Sequence, residues 1–314
     1  MEKVEDINLF LIEDPASINY LLSLSEEKKN RIIVSCRNYS SFKNISEKIK
    51  IITDIKKLQK FLIKNKVNRI FLCSAESASA ISKKILLYSK LKNIQSTLVI
   101  DSGDNIKKRI FFKNKILPVN KIIVPDYQTK KQYLQYKFQN VVVRNFFHQK
   151  YLIRKFRNLK NEKKLKKIVT FCTVPRTLNI SKSSLLSGFD FKIKDKMDAA
   201  IQEFIFSFCK NDKDTKFHKI LRYHPKNKKN DFFKYHWFFD EISINKDPLS
   251  VLKNSDYIFG ETTSFLIDAA LLSKKVFSIL PIPDRQSVIN YKYLKNKIKF
   301  IKNKKNLDKI IRCI

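Results

Sequence analysis

Three glycines serve all 314 residues of this chain, where ordinary usage would supply about 22. A GxGxxG dinucleotide fingerprint and a GxxxxGK[ST] phosphate loop both need clustered glycines, so neither can be built here. Glycine is kept where the backbone needs a positive φ or must approach something closely. Two of the three stand in segments that invite a functional reading. Gly103 lies in Asp101-Ser102-Gly103-Asp104, and Gly260 lies in Gly260-Glu261-Thr262-Thr263-Ser264.

Short β-rich apolar runs alternate with longer helical patterns. In the first half, strands are predicted at 8–12, 31–36, 69–73, 96–100, 121–124 and 140–143. Helices are predicted at 15–28, 75–91 and 128–136, with a mixed, mostly helical stretch at 45–64. Residues 155–167 are rich in Lys, Arg and Asn and read as a linker. The pattern then restarts, with strands at 167–172, 219–223, 241–244, 256–259 and 275–280. Helices are predicted at 196–210, 248–254, 263–272 and 306–314. Alternation of this kind argues an α/β fold with parallel sheets covered by helices on both faces. The expectation is two Rossmann-like, doubly wound domains, residues 1–155 and 156–314, facing a central cleft.

Ligands of open α/β sheets bind beyond the carboxyl ends of the strands, and three segments fall there. The first is Arg222-Tyr223-His224-Pro225-Lys226. Proline holds the preceding residue extended, and histidine suits proton transfer near neutrality. Arg222 and Lys226 would bring positive charge to a phosphate, although a turn after a strand uses the same residues. The second is Gly260 to Ser264. A strand, a glycine turn, hydroxyls and a helix start together present backbone N–H groups to an anion. Capping needs one hydroxyl, and Thr262, Thr263 and Ser264 supply three. The third is Asp101 to Asp104, where a carboxylate facing the cleft would accept a proton from an acceptor hydroxyl. A polar turn has the same composition. Lys107, Lys108 and Arg109 follow and would either greet an anionic acceptor or be solvated. Thr173, Pro175 and Arg176, after the first strand of the second half, occupy a loop within reach of a nucleotide.

Other signals are weaker. Asp212-Lys213-Asp214 has metal-binding spacing but a lysine at its centre, so no metal and no cofactor is expected. His148, His218 and His236 lack convergent partners in sequence. The aromatic run from Phe232 to Phe239 reads as core or lid more readily than as a sugar platform. Five scattered cysteines without a CxxC argue against a zinc or disulfide framework and fit a reducing compartment. The charged N-terminus has no signal-peptide character, and no apolar run approaches a spanning helix. The expectation is a cytoplasmic protein, peripheral at the inner face of the membrane. The net charge of +36 is spread along the chain. It reads as coding bias plus attraction to anionic membrane. A basic nucleic-acid binder is the competing class, but no helix–turn–helix or RNA-binding signature supports it.

Together, Asp101-Ser102-Gly103, His224-Pro225 and Thr263-Ser264 resemble, in order, the acidic, His-Pro and Ser/Thr motifs of bacterial sialyltransferases and polysialyltransferases of the GT-B fold. Ser102 stands where that pattern has a second carboxylate, which leaves Asp104 as the alternative base. The resemblance implies an inverting, metal-independent glycosyltransferase that moves a CMP-activated ulosonic acid onto a bacterial surface glycan or glycolipid. His224 would serve the leaving phosphate and Asp101 would deprotonate the acceptor. Arg222, Pro225, Gly260, Thr262, Thr263, Ser264, Thr173 and Arg176 would hold the donor, and Lys107, Lys108 and Arg109 the acceptor. The second half also looks like the glycerol-phosphate polymerases of wall teichoic acid synthesis. The alternative is therefore transfer from CDP-glycerol, or from a UDP-sugar, on the same scaffold. A sugar-nucleotide 2-epimerase shares the fold, but no acidic set for it stands out.

Overall fold

The computed structural model describes residues 7–13, 18–37, 48–73, 80–101, 106–160, 165–174, 196–211, 213, 215–244, 246–261, 263–280 and 294–314. The chain forms two compact units, Met1–Leu152 and Ile153–Ile314.

In unit 1 the elements run β1 (Ile7–Ile12), α1 (Ile18–Glu26), β2 (Arg31–Ser35), β3 (Ile49–Ile51), α2 (Ile55–Lys64), β4 (Val67–Leu72), α3 (Ile81–Leu91) and β5 (Gln95–Val99). There follow α4 (Ile106–Ile110), β6 (Phe111–Phe112), β7 (Lys115–Ile116), β8 (Lys121–Val124), α5 (Tyr127–Leu134), β9 (Val141–Val143) and α6 (Gln149–Arg157). Among the described residues, seven strands form one sheet in the order β3-β2-β1-β4-β5-β8-β9. Its neighbours pair in parallel. β6 and β7 make a small antiparallel hairpin. Because strand side chains alternate, β1 splits its apolar residues between two cores. Leu9 and Leu11 pack with α2 and α3 residues such as Leu58, Leu62, Ile85 and Leu86. Phe10 and Ile12 pack with Leu21 and Leu22 of α1.

Unit 2 repeats the plan: β10 (Lys167–Cys172), α7 (Lys196–Lys210), β11 (Phe217–Arg222), a 3-10 helix (Phe233–Phe238), β12 (Glu241–Ser243) and α8 (Pro248–Asn254). It closes with β13 (Tyr257–Gly260), α9 (Ser264–Leu271), β14 (Lys275–Ile279), β15 (Ile298–Ile301) and α10 (Lys304–Cys313). The described strands form a parallel sheet in the order β12-β11-β10-β13-β14-β15. Val169, Phe171 and Phe259 join Phe204 and Phe208 of α7 and Leu307 and Ile311 of α10 in one core. Thr170 faces the other way and shares a hydrogen bond of 2.6 Å with Ser255, just past α8.

Local chemistry explains the helix boundaries. Asp54, Asp126, Asp247 and Asn303 cap α2, α5, α8 and α10, each accepting from the backbone N–H three residues on. Past α2, α3, α5 and α9 the chain turns through the left-handed region, where glycine is usual. Here Lys66 (φ 47°), Asn93 (53°), Lys137 (61°) and Ser273 (59°) take that role. The glycine shortage is thus absorbed at helix ends. Residues 155–157, expected at the start of a linker, form the last turn of α6. That helix buries Tyr151 and Leu152, and its many Lys and Arg hide the pattern in sequence.

Candidate functional site

In unit 2 the strand order reverses between β10 and β13, the switch point where open α/β sheets hold ligands. Thr173 follows β10 there, and Gly260 ends β13 directly beside Cys172. A Cβ on Gly260 would stand 2.9 Å from the Cys172 carbonyl oxygen. This glycine is therefore retained for close approach of two strands. Burial pushes the neighbouring Cys172 thiol up to about 12, so it stays an inert thiol.

The His224 loop is built with care. His224 C=O accepts from Asn227 N–H at 2.8 Å, which closes a β-turn with exposed Pro225 at its second position. His224 N–H donates to Thr173 Oγ1 (2.9 Å) and Asn227 Oδ1 (3.0 Å). Thr173 in turn donates its hydroxyl to Asn227 Oδ1 at 2.8 Å and its N–H to Arg222 C=O at 2.9 Å. The imidazole Nδ1 accepts from Lys226 N–H at 3.1 Å. In the neutral ring the proton then sits on Nε2. Beneath the loop, Tyr223 OH meets His236 Nε2 at 2.8 Å and accepts from Phe232 N–H at 3.2 Å.

The β13–α9 turn lies on the other side of β10. Thr263 is the N-cap of α9, accepting from Phe265 N–H at 3.3 Å, and half-buried Ser264 is the first helical residue. Ser278 Oγ donates to Glu261 C=O and pins the turn from β14. Arg222 lies deeper than expected. Its guanidinium is buried, sits 4.9 Å from the centre of the Phe265 ring, and donates to Lys246 C=O (3.1 Å) and Ser243 Oγ (3.3 Å). Burial lowers its pKa against the opposing fields of Cys172 and Asp247. The structure gives Arg222 the position of a brace beneath α9. Thr173 likewise holds the His224 loop from below. Asn227, which ties the loop together, escaped the sequence reading, because a lone Asn in a Lys-rich loop carries no signal.

In unit 1, Asp101 lies two residues past β5 and is buried. Arg109 of α4 donates to its Oδ1 at 2.8 Å, with both side chains under a tenth exposed. Cys73 Sγ lies 3.8 Å from the same guanidinium nitrogen. The sequence reading put Arg109 on the acceptor; the structure puts it on Asp101. Lys107 and Lys108 are exposed on α4. Glu13, directly after β1, was not singled out. It is 3 % exposed, and its carboxylate accepts from Ile81 N–H (2.8 Å) and Ser82 N–H (2.9 Å) at the start of α3. Ser102, Gly103, Asp104, Pro175, Arg176, Asp212, Asp214 and Thr262 lie outside the described residues.

No protein-family model matches the chain, and no curated protein matches its sequence. Solved structures do resemble it. A UDP-GlcNAc 2-epimerase of Methanocaldococcus jannaschii, in complex with UDP-GlcNAc and UDP, superposes with a TM-score of 0.61 at 13% identity. That match covers 98% of this chain and 92% of the epimerase. The UDP-N-acetylglucosamine 2-epimerase of Rickettsia bellii gives 0.58 at 12% identity, over 87% of this chain and 79% of its own. The wall teichoic acid polymerase TagF gives 0.51 at 12% identity, over 99% and 80%, and a further TagF structure is of crystals soaked with CDPG. Identities this low establish the fold alone. The protein is an α/β protein of GT-B type, made of two Rossmann-like units.

Proposed function

We propose that this protein is a GT-B enzyme that transfers a group from a nucleotide-activated donor held at the unit 2 switch point. The observation that carries this reading is that the His224 turn and the start of α9 follow β11 and β13, the two strands that flank β10 at the switch point. His224 offers an Nε2–H donor, its Nδ1 being tied to Lys226 N–H. Thr263 and Ser264 begin a helix whose dipole favours negative charge. A leaving phosphate between them meets a hydrogen-bond donor and a positive helix end. Asp101 of unit 1, held by Arg109, is the candidate base of this reading.

A nucleoside-diphosphate donor is favoured over a CMP-linked ulosonic acid. Among the neighbours, the epimerase structure holds UDP-GlcNAc and UDP, and a TagF structure was soaked with CDPG. The CMP reading stands on the three short motifs. The acceptor of this reading is a surface glycan or glycolipid precursor, met by a basic protein peripheral to an anionic membrane. Among the described residues no helix is long and apolar enough to cross one.

Calorimetry with UDP, CDP, CMP and GDP at moderate salt tests the donor. We expect UDP or CDP to bind selectively and His224→Ala to weaken binding while the melting transition is retained. Selective CMP binding moves the assignment to the ulosonate donor. No binding by any nucleotide overturns the transferase reading.

A further inference from the structure

Between β11 and β12 the chain passes through a segment that divides its aromatic residues sharply. Phe232, Tyr235, Phe238 and Phe239 are buried in the unit 2 core. Phe233 is 69 % exposed and Trp237 is 73 % exposed. Both project from the 3-10 helix whose other residues anchor it, so the backbone beneath them is fixed. Lys226, Lys228, Lys229 and Lys234 are exposed on the same short stretch. Its acidic residues are turned to other work. Asp231 accepts from Lys228 N–H (2.9 Å) and Asn227 Nδ2 (3.2 Å). Asp240, at the far end, is bound by Lys219 Nζ at 3.1 Å. Of the four lysines, Lys234 also reaches Asp198, at 3.3 Å.

Large exposed aromatics framed by lysine match the interface of an anionic bilayer. Tryptophan prefers the headgroup level, where its ring is half in hydrocarbon and its N–H is wet. Lysines add attraction to acidic lipid. We propose that residues 226–237 are the membrane-docking surface of this protein, with Phe233 and Trp237 entering the headgroup layer and the lysines lying on acidic phosphates. The inference rests on the peripheral-membrane part of the proposed function and is independent of the donor chemistry. It also places docking on the loop that leads out of His224, through Tyr223 and its contacts with His236 and Phe232.

Trp237 is the sole tryptophan of the chain, so its fluorescence reports on this surface alone. The full chain is mixed with vesicles of phosphatidylcholine, or of phosphatidylcholine with phosphatidylglycerol. Acidic vesicles should shift the emission to the blue and expose Trp237 to quenching by acyl-brominated lipid; neutral vesicles should do neither. Phe233→Ser and the double variant Lys228→Glu, Lys229→Glu keep the reporter. Each should weaken binding to acidic vesicles by about tenfold or more, with circular dichroism unchanged. Vesicle binding with unmoved emission overturns the patch while leaving a peripheral protein, and would direct attention to exposed Ile63 and Leu91 of unit 1. Absence of vesicle binding overturns both the patch and the membrane part of the proposed function, whatever calorimetry shows for nucleotides. A shift produced by a soluble acidic oligosaccharide but not by vesicles also overturns it.

Discussion

The two units are built to one plan and finish their strand ends differently. In each, the first strand has six residues and sits inside the sheet, next to the strand that feeds a helix at the switch point. In unit 1 the residue after that strand is Glu13, and its carboxylate occupies the first N–H groups of α3. In unit 2 the equivalent residue is Thr173, which holds the His224 turn and leaves α9 to its own Thr263 cap. A helix start attracts an anion. Unit 1 supplies that anion from its own chain, and in the function proposed above unit 2 takes one from a ligand. One side chain at one position separates the two strand ends.

The comparison breaks most visibly at Glu13. Glu13→Ala uncovers two helix N–H groups and removes a buried charge. We expect a loss of about 3 kcal/mol in urea denaturation; a loss below about 1 kcal/mol would show that unit 1 does not depend on its internal anion. Exchanging the two designs is the next test. Thr173→Glu should bring a carboxylate to the unit 2 strand end and weaken nucleotide binding by about a hundredfold or more, roughly 2.7 kcal/mol, and unchanged calorimetry would remove Thr173 from the site.

A further buried ionisable group of unit 2, Glu203, lies away from the strand ends, where α7 meets α10. Burial pushes the Glu203 carboxyl from 4.5 up to about 7, opposed by Lys304 and reinforced by Asp308. The folded state thus holds a proton that the unfolded state has released between these two values. Stability from this group is greatest below pH 4.5, falls as pH rises to about 7, and is level above. Glu203→Gln should therefore be the more stable protein at pH 8, by on the order of 2 kcal/mol, and the difference should shrink toward pH 5. Equal stabilities at pH 8 would disprove the raised value. The smallest effect is expected at Gly260. Gly260→Ala places a Cβ against the Cys172 carbonyl and should cost about 1–2 kcal/mol, with a matching fall in nucleotide affinity if β10 and β13 must stay this close.

Much of this frame is legible in the residues. Lys121–Val124, Lys167–Cys172, Lys196–Lys210 and Pro248–Asn254 form at the bounds expected from apolar runs and caps. β15 is hidden because it is a four-residue strand set among lysines, and α6 because its Lys and Arg equal its apolar residues in number. The strand-end rule pointed to His224 and Asp101 because each follows a strand. Applied evenly, the same rule would also have pointed to Glu13. What Arg222 and Arg109 touch was not legible. Both look like free cations in sequence, and only the tertiary packing turns one under Phe265 and the other onto Asp101.

The helix ends that turn through Lys66, Asn93, Lys137 and Ser273 without glycine carry a practical consequence for anyone wishing to harden this protein. An L-residue other than asparagine held in that conformation carries a steric cost of about 1 kcal/mol. Lys66, Lys137 and Ser273 are therefore three places where glycine would relieve strain without touching the His224 loop or the α9 start. A scarcity imposed on the whole chain has left a reserve of stability at its turns, open to single-codon engineering.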